Sequence, residues 1–390
     1  MENKKFKQTD IVVIGAGIIG AAIARELAKY NLKIVVLESD ARVGMETTSG
    51  NSGLVHGGFD ATPGKLNAKL NVLGKKRYED WIAEMDFPYL RINSTVVAFN
   101  IEEMQHVKML FERGLINGLD KSELEIIGAH ELKIREPNIS QDAVGALVCN
   151  SSIAVDPKIL TQTLLINAIK NGLTLEVNSK VIQIQKENNH FLISTSKNET
   201  YQSQIIINAA GHYADVIAQM AGYPDFNLAT RRGEYRILEK TESGVVNSVI
   251  FMVPTIHGKG VLVAPTLDGR ILVGPTSEDN VPKAETRLVT SVKFDEIGKI
   301  GKKIIPNLRI EKTVETLAGS RAIHLASDDF YIKSALQDKN FINVAGIKSP
   351  GISSAPAIAD MVCGMVEEIL GQLEIKPNYD PRQKSILPLT

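Results

Sequence analysis

Cysteine is nearly absent: Cys149 and Cys363 stand alone in 390 residues, far apart in the chain. They offer no disulfide framework and no CxxC metal pair. A reducing, cytoplasmic setting fits that usage. Long apolar runs are missing as well. Ile11–Ala24 is apolar but only 14 residues long, and it holds three glycines, too short to span a bilayer. MENKKFKQTD, ahead of Ile11, is polar, so no signal peptide is expected. Excess charge of one sign is also lacking. Lys and Arg number 44, Asp and Glu 45, and the net charge is −1, which argues against nucleic acid as a partner. No HExxH, no Cys/His cluster with metal spacing and no GxSxG elbow occurs, so neither a metal site nor hydrolysis has support.

What is present is a soluble globular composition, 44% hydrophobic and 23% charged, in a chain long enough for two substantial domains. Residues 10–40 organise it. Ile11–Ile14 reads as a buried parallel strand. Gly15, Gly17 and Gly20 follow in GxGxxG spacing, and an apolar helical pattern runs through Ile23, Leu27 and Tyr30. A second strand, Ile34–Leu37, ends at Glu38. This is a βαβ unit with a turn built for pyrophosphate. Gly15 permits the tight turn, Gly17 the approach of phosphates, and Gly20 close helix–strand packing. The helix N-terminus presents N–H groups and a positive dipole end to the anion. Glu38 stands 18 residues beyond Gly20, where a carboxylate accepts from ribose hydroxyls and repels a 2′-phosphate. The stretch alone leaves FAD and NAD both open.

Residues 41–64 are rich in Gly, Ser and Thr, a costly segment to order beside a phosphate turn. Thr47, Thr48, Ser49, Asn51 and Ser52 can donate to phosphates or to a ring edge, and Asn51-Ser52-Gly53 permits close backbone approach. Helices are expected over 65–85, Ile101–Arg113, Glu123–Glu136 and from Asp156-Pro157 to Lys170, where Asp156 caps and Pro157 suits the first turn. Gln204–Ala209 returns a strand to the nucleotide sheet. From Arg232 to Gly274 the pattern becomes antiparallel strand, with a DG hairpin turn at Asp268-Gly269. Residues 285–302 are helical. Phe341–Val344, a Gly/Ser/Pro loop and a helix ending at Gly371 form the last block, and 372–390 read as a surface tail. The fold expected is α/β. A Rossmann-like nucleotide domain takes 1–90, 145–225 and 325–390. A substrate domain with a mixed, largely antiparallel sheet takes 91–144 and 226–324.

Chemistry concentrates at a few positions. His56, in LVHGG, can accept a proton from an alcohol as hydride leaves the same carbon; a structural histidine is the plainer alternative. Arg231 and Arg232 begin the change of domain. His257 and Lys259 lie in the turn TIHGKG, where Lys259 offers a point charge to a phosphate. Arg321, in LAGSRAIH, can present a bidentate fork to an oxyanion, with His324 nearby. Lys348 and Ser349 precede the last helix, where a cation and backbone N–H groups can stabilise negative charge on a reduced flavin. Cys363 sits in an apolar helical pattern and reads as core.

DIVVIGAGIIGAAIARELAKYNLKIVVLES, IIINAAGHYAD and FINVAGIKSPGISSAPAIAD together resemble the FAD-dependent amino-acid-oxidase/glycerol-3-phosphate-dehydrogenase superfamily. The resemblance spans most of residues 9–371 and implies FAD, bound non-covalently. It implies cofactor contacts from Gly15, Gly17, Ile18, Ile19, Gly20, Glu38, Thr47, Thr48, Ser49, Asn51, Ser52, Gly53, Val181, Gly211, Gly319, Gly346, Lys348, Gly351, Ile352 and Ser353. NSGLVHGGFDATPGKLNAKL is similar to both 2-hydroxyglutarate and glycerol-3-phosphate oxidases. VPTIHGKGVLVAPTLDGRILVGPTSED looks like the glycerol-3-phosphate branch, in the short oxidase form found in mycoplasmas. That form implies His56 as catalytic base, Lys259 and Arg321 around the phosphate and reacting end of sn-glycerol 3-phosphate, and Ser349 beside them. O2 would reoxidise the flavin with release of hydrogen peroxide. L-2-hydroxyglutarate as substrate, and a quinone-linked dehydrogenase, are the alternatives. A monomer or homodimer is expected, in the cytoplasm, with peripheral contact at the inner face of the membrane left open.

Overall fold

The computed structural model describes residues 6–253 and 260–384. The chain opens with β1 (Lys7–Ile14), α1 (Ile18–Leu27) and β2 (Ile34–Leu37), then a long loop to β3 (Leu54–Val55). Next come α2 (Leu66–Glu84), β4 (Tyr89–Ala98), α3 (Ile101–Ile116), β5 (Leu124–Gly128), α4 (Ala129–Arg135), β6 (Gly145–Val155) and α5 (Pro157–Lys170). After β7 (Thr174–Glu176), β8 (Val181–Glu187), β9 (His190–Thr195), β10 (Thr200–Asn208) and α6 (Ala214–Met220), the chain enters β11 (Leu228–Leu238). It continues through β12 (Val249–Met252), β13 (Leu262–Pro265), β14 (Ile271–Gly274), β15 (Glu278–Asp279), α7 (Ser291–Ile304) and β16 (Thr313–His324). It closes with β17 (Tyr331–Ala335), β18 (Asp338–Ala345) and α8 (Gly351–Leu370).

Two sheets result. The first runs β17-β18-β10-β1-β2-β7, with β9 and β8 added beside β10. β18, β10, β1, β2 and β7 are mutually parallel, as βαβ crossovers require. Both faces of β1 are covered. Ile11 and Val13 join a core with α1, α5 and α8, while Val12 and Ile14 join another with β8, β9 and α6. That two-sided burial explains why the strand reads as a continuous apolar run. The second sheet runs β15-β11-β14-β13-β12-β4-β6-β3, with β16 beside β11 and β5 beside β6. It is antiparallel except where β12 meets β4 in parallel. The hairpin turn lies where DG stands: Gly269 N donates to Thr266 O and Thr266 N to Arg270 O.

Three expectations change. Glu123–Glu136 is not one helix, because Leu124–Gly128 pairs with β6 and only Ala129–Arg135 is helical. β-branched Ile126 and Ile127 favour the strand once a partner is available. Gly145–Val155, assigned to the first domain's segment at 145–225, pairs with β4 and β5 in the second sheet, and β3 joins it from within 1–90. The tail is strapped down. Asn31 N donates to Glu374 O, Lys376 N to Lys29 O, and Asp86 N to Gln383 O, each at 2.8 Å.

α8 carries Pro356 in its second turn. Proline has no N–H, so the carbonyl of Ile352 loses its helical donor. The buried Tyr78 hydroxyl of α2 supplies one at 2.8 Å. That bond ties α2 to the start of α8, which borders the site.

Candidate active site

The phosphate turn is held by backbone contacts. Gly15 has φ +103°, and a Cβ there would lie 2.5 Å from the carbonyl oxygen of Ala209. A Cβ on Gly20 would lie 2.0 Å from the carbonyl oxygen of Gly15. Only glycine fits either place. Gly17 is the N-cap of α1 and makes no side-chain cap, so the positive end of the helix is presented to the cavity. The buried Glu38 carboxylate accepts from Ala16 N at 2.8 Å and from Asp40 N at 2.9 Å. Thr48 Oγ1 accepts from Ile18 N at 3.0 Å. The residues expected to meet a dinucleotide thus first hold one another in place.

A single cavity of about 1090 Å³ leads from Glu38, Lys180 and Val181, past Gly15, Gly17, Ile18, Ile19 and Gly211, to His56, Arg321 and Ser349. That volume exceeds what a drug-sized ligand needs, and suits an extended dinucleotide with a small second molecule. Thr47, Thr48, Asn51, Ser52, Gly319, Lys348, Gly351 and Ile352 also line it. Gly20, Ser49, Gly53, Gly346 and Ser353 stand behind the wall. The Ser49 hydroxyl is turned back, donating to the carbonyls of Met45 and Glu46 at 2.6 and 3.0 Å. Asn51 donates to the carbonyls of Thr47 and Thr48 and accepts from Gly53 N. Ser353 Oγ accepts from His56 N at 2.8 Å. At Gly319 a Cβ would stand 2.4 Å from the carbonyl oxygen of Gly50; this backbone crossing brings the 41–64 loop against β16.

At the far end His56 follows β3, and its ring lies 6.1 Å from that of Phe251. Ser349 Oγ is 3.4 Å from His56 Nε2. Arg321 projects from β16 with both terminal nitrogens 3.4 Å from the carbonyl oxygen of Thr276. Gly233 makes room for it, since a Cβ there would meet the guanidinium at 2.9 Å. Burial holds the guanidinium below its ordinary pKa, opposed by the neighbouring Tyr235 hydroxyl. Among the described residues no carboxylate lies within ion-pair distance of Arg321. A fork so placed is a receptor for an oxyanion. Arg231 and Arg232 differ: the first pairs with Asp279, the second with Glu278 and Glu234. Lys348 pairs with Asp328 at the cavity wall. His324 meets Ser327 at 2.7 Å, outside the cavity lining. His257 and Lys259 lie outside the described residues. Cys149 and Cys363 are buried. Among the described residues no cluster suits a metal ion, and no helix is long and apolar enough to cross a membrane.

Residues 10–365 match the family model for FAD dependent oxidoreductases. The chain belongs to that family. The fit to FAD is also visible in the glycine-only turn, the carboxylate at Glu38 and the helix N-terminus between them. The family includes relatives of nearly the same length. Glycerol 3-phosphate oxidase of Mycoplasma genitalium is 39% identical over 376 residues, covering 95% of this chain and 97% of that one. Glycerol 3-phosphate dehydrogenase of Caloramator mitchellensis is 38% identical, covering 97% of this chain and 78% of that one. A solved structure, dithionite-reduced L-α-glycerophosphate oxidase from Mycoplasma pneumoniae with FAD bound, superposes with a TM-score of 0.94 at 37% identity, over 99% of this chain and 100% of that one.

The sequence did not single out four residues that border the cavity: Asn67, Asn71, His212 and Tyr235. The two asparagines had a signal, since they recur at i, i+4 among the buried residues of α2. His212 and Tyr235 had none, because their exposure to the cavity depends on how two sheets meet.

Proposed function

We propose that this flavoprotein oxidises sn-glycerol 3-phosphate to dihydroxyacetone phosphate. The reading rests on one observation: an oxyanion fork with no carboxylate partner among the described residues, Arg321, shares a cavity with His56 and with a dinucleotide turn. Arg321 holds the phosphate dianion through charge-assisted hydrogen bonds. Lys259 adds a second cation on the resemblance of its turn. His56 Nε2 takes the proton of the C2 hydroxyl, and Ser349 Oγ steadies that nitrogen. Phe251 packs beside the imidazole and helps to exclude water. FAD, when bound, supplies the acceptor for the C2 hydride and a route for both electrons to O2, with hydrogen peroxide as product. Glu38, the Gly15–Gly20 turn, Thr48 and Asn51 hold its adenosine and pyrophosphate end. Gly351, Ile352 and Lys348 border its ring.

The mycoplasma relatives are named oxidases and the Caloramator relative a dehydrogenase, so O2 as acceptor is favoured by the relatives of matching length. The test is anaerobic flavin absorbance during separate titrations with glycerol 3-phosphate and L-2-hydroxyglutarate, then admission of air. Bleaching by the phosphate and recovery with peroxide is the expected result. Bleaching only by the dicarboxylate would reassign the substrate. Bleaching without recovery in air would assign another acceptor.

A further inference from the structure

β11 carries a buried phenol that the chemistry above leaves unused. Side chains alternate along a strand, so Arg231, Gly233 and Tyr235 share one face of β11, and all three line the cavity. β16 pairs alongside, with Arg321 opposite Arg231, Gly319 opposite Gly233 and Leu317 opposite Tyr235. From that register the Arg321 guanidinium leans over the bare Gly233, where a Cβ would lie 2.9 Å from Arg321 Nη2. The next side chain on the same face is Tyr235, and its hydroxyl stands beside the guanidinium. Tyr235 is 5% exposed. Its ring belongs to the buried cluster that holds Phe251, Leu262 and Leu272. It rests on Gly274, where a Cβ would lie 2.8 Å from Tyr235 Cδ1. Packing thus fixes where the hydroxyl stands. Among the described residues nothing takes its proton, and unlike the His212 ring nitrogens it is not sealed from the cavity. Burial pushes the phenol above its ordinary pKa, against the pull of Arg321, so the proton is held at neutral pH.

We propose that the Tyr235 hydroxyl donates to the third oxygen of the substrate's phosphate, and so selects phosphate over carboxylate at the Arg321 end. The inference rests on the proposed substrate, whose phosphate lies on Arg321. The discrimination is geometric. A planar guanidinium fork meets two oxygens in its own plane, and a carboxylate has no more than two. A phosphate is tetrahedral and presents a third oxygen out of that plane. A donor set beside the fork serves that oxygen. A phenol accepts from the arginine and still donates its own proton, so the two groups act together on one anion.

The experiment measures the dissociation constant and the limiting rate of anaerobic flavin reduction for glycerol 3-phosphate. It also measures the dissociation constant of 3,4-dihydroxybutyrate, which carries a carboxylate in place of the phosphate, as substrate or as competitive inhibitor. The proteins are the wild-type holoenzyme and Tyr235→Phe, which keeps the ring and removes only the hydroxyl, each first checked for bound flavin by absorbance. In the variant the dissociation constant for glycerol 3-phosphate is expected to rise about tenfold, the scale of one hydrogen bond. The limiting reduction rate stays within about twofold, as for a contact made equally in ground and transition states, and 3,4-dihydroxybutyrate binds as it does to the wild type. An unchanged dissociation constant for glycerol 3-phosphate overturns the contact. An equal loss on both compounds also overturns it, since the hydroxyl then only holds Arg321 in place for any anion. If Tyr235→Phe does not keep its flavin, Tyr235→Met, which fills the space without a hydroxyl, decides the matter. Failure of the proposed function looks different: glycerol 3-phosphate would not bleach the wild-type flavin at all.

Discussion

The two ends of the cavity are built differently. At the Glu38 end most contacts lie within residues 15–48, Ala209 being the exception, and backbone groups take part in each. Gly15 and Gly20 exclude any side chain, and Glu38 closes back on Ala16 from the next strand. At the other end His56, Arg321, Ser349 and Phe251 come from four distant segments, and side chains carry the contacts. A backbone site tolerates no substitution at its glycines but many around them. A side-chain site can be altered one function at a time while the protein still folds and keeps its cofactor. The lesson is that cofactor retention and substrate chemistry should be separable by mutation.

The sharpest way to break that contrast is Gly20→Ala. Its Cβ has no room against Gly15, so the turn must open. The purified protein is expected to lose most of its FAD, read as the ratio of flavin to protein absorbance. Retention of full flavin would show that the turn yields where the contact distances say it cannot.

Arg321→Met probes the other end. A cation without a carboxylate partner is costly to hold away from water, and a methionine of similar length fills the space. The variant should keep FAD and melt no lower than the wild type. Its affinity for glycerol 3-phosphate should fall about 100-fold, the scale of one charge-assisted hydrogen-bonded pair, about 2–3 kcal/mol. Isothermal titration or the half-point of anaerobic bleaching measures it.

His212 refines the comparison within the cofactor end. Burial pushes its pKa down to about 4, with Lys283 adding to the effect and Asp215 opposing it. The unfolded chain binds a proton at this histidine near the ordinary value of about 6.5, whereas the folded chain resists until about pH 4. The contribution is therefore present above pH 6.5 and is lost as pH falls towards 4. The loss reaches about 3 kcal/mol at most. His212→Phe should lower the melting temperature less between pH 7.5 and pH 5 than the same change of pH does in the wild type. Equal shifts would mean that His212 does not titrate differently on folding.

The same contrast explains what could be read from the sequence. β1, α1 and β2 were legible because strand, glycine spacing and acid are local and have one physical meaning. α5 was legible from its cap: Asp156 accepts from Lys158 N and Ile159 N with Pro157 in the first turn. Leu124–Gly128 misread as helix because five residues between polar neighbours carry no period of their own, and only β6 makes them a strand. Gly145–Val155, within the range 145–225, pairs in the second sheet with β4 and β5, and its apolar run alone does not say which sheet it joins. His56 and Arg321 were legible as types of chemistry, from glycines that free the space around them. That they share one cavity came only from the family resemblance and not from the residues themselves, since in the structure Gly50 meets Gly319 backbone to backbone between them.

The most direct measurement is flavin content and anaerobic reduction rate in His56→Asn with saturating glycerol 3-phosphate. The account predicts a full complement of FAD and bleaching slowed by about 10²–10⁴-fold, the usual contribution of a positioned base. Bleaching at the wild-type rate would contradict the proton-transfer role. Loss of FAD would contradict the separation of the two ends.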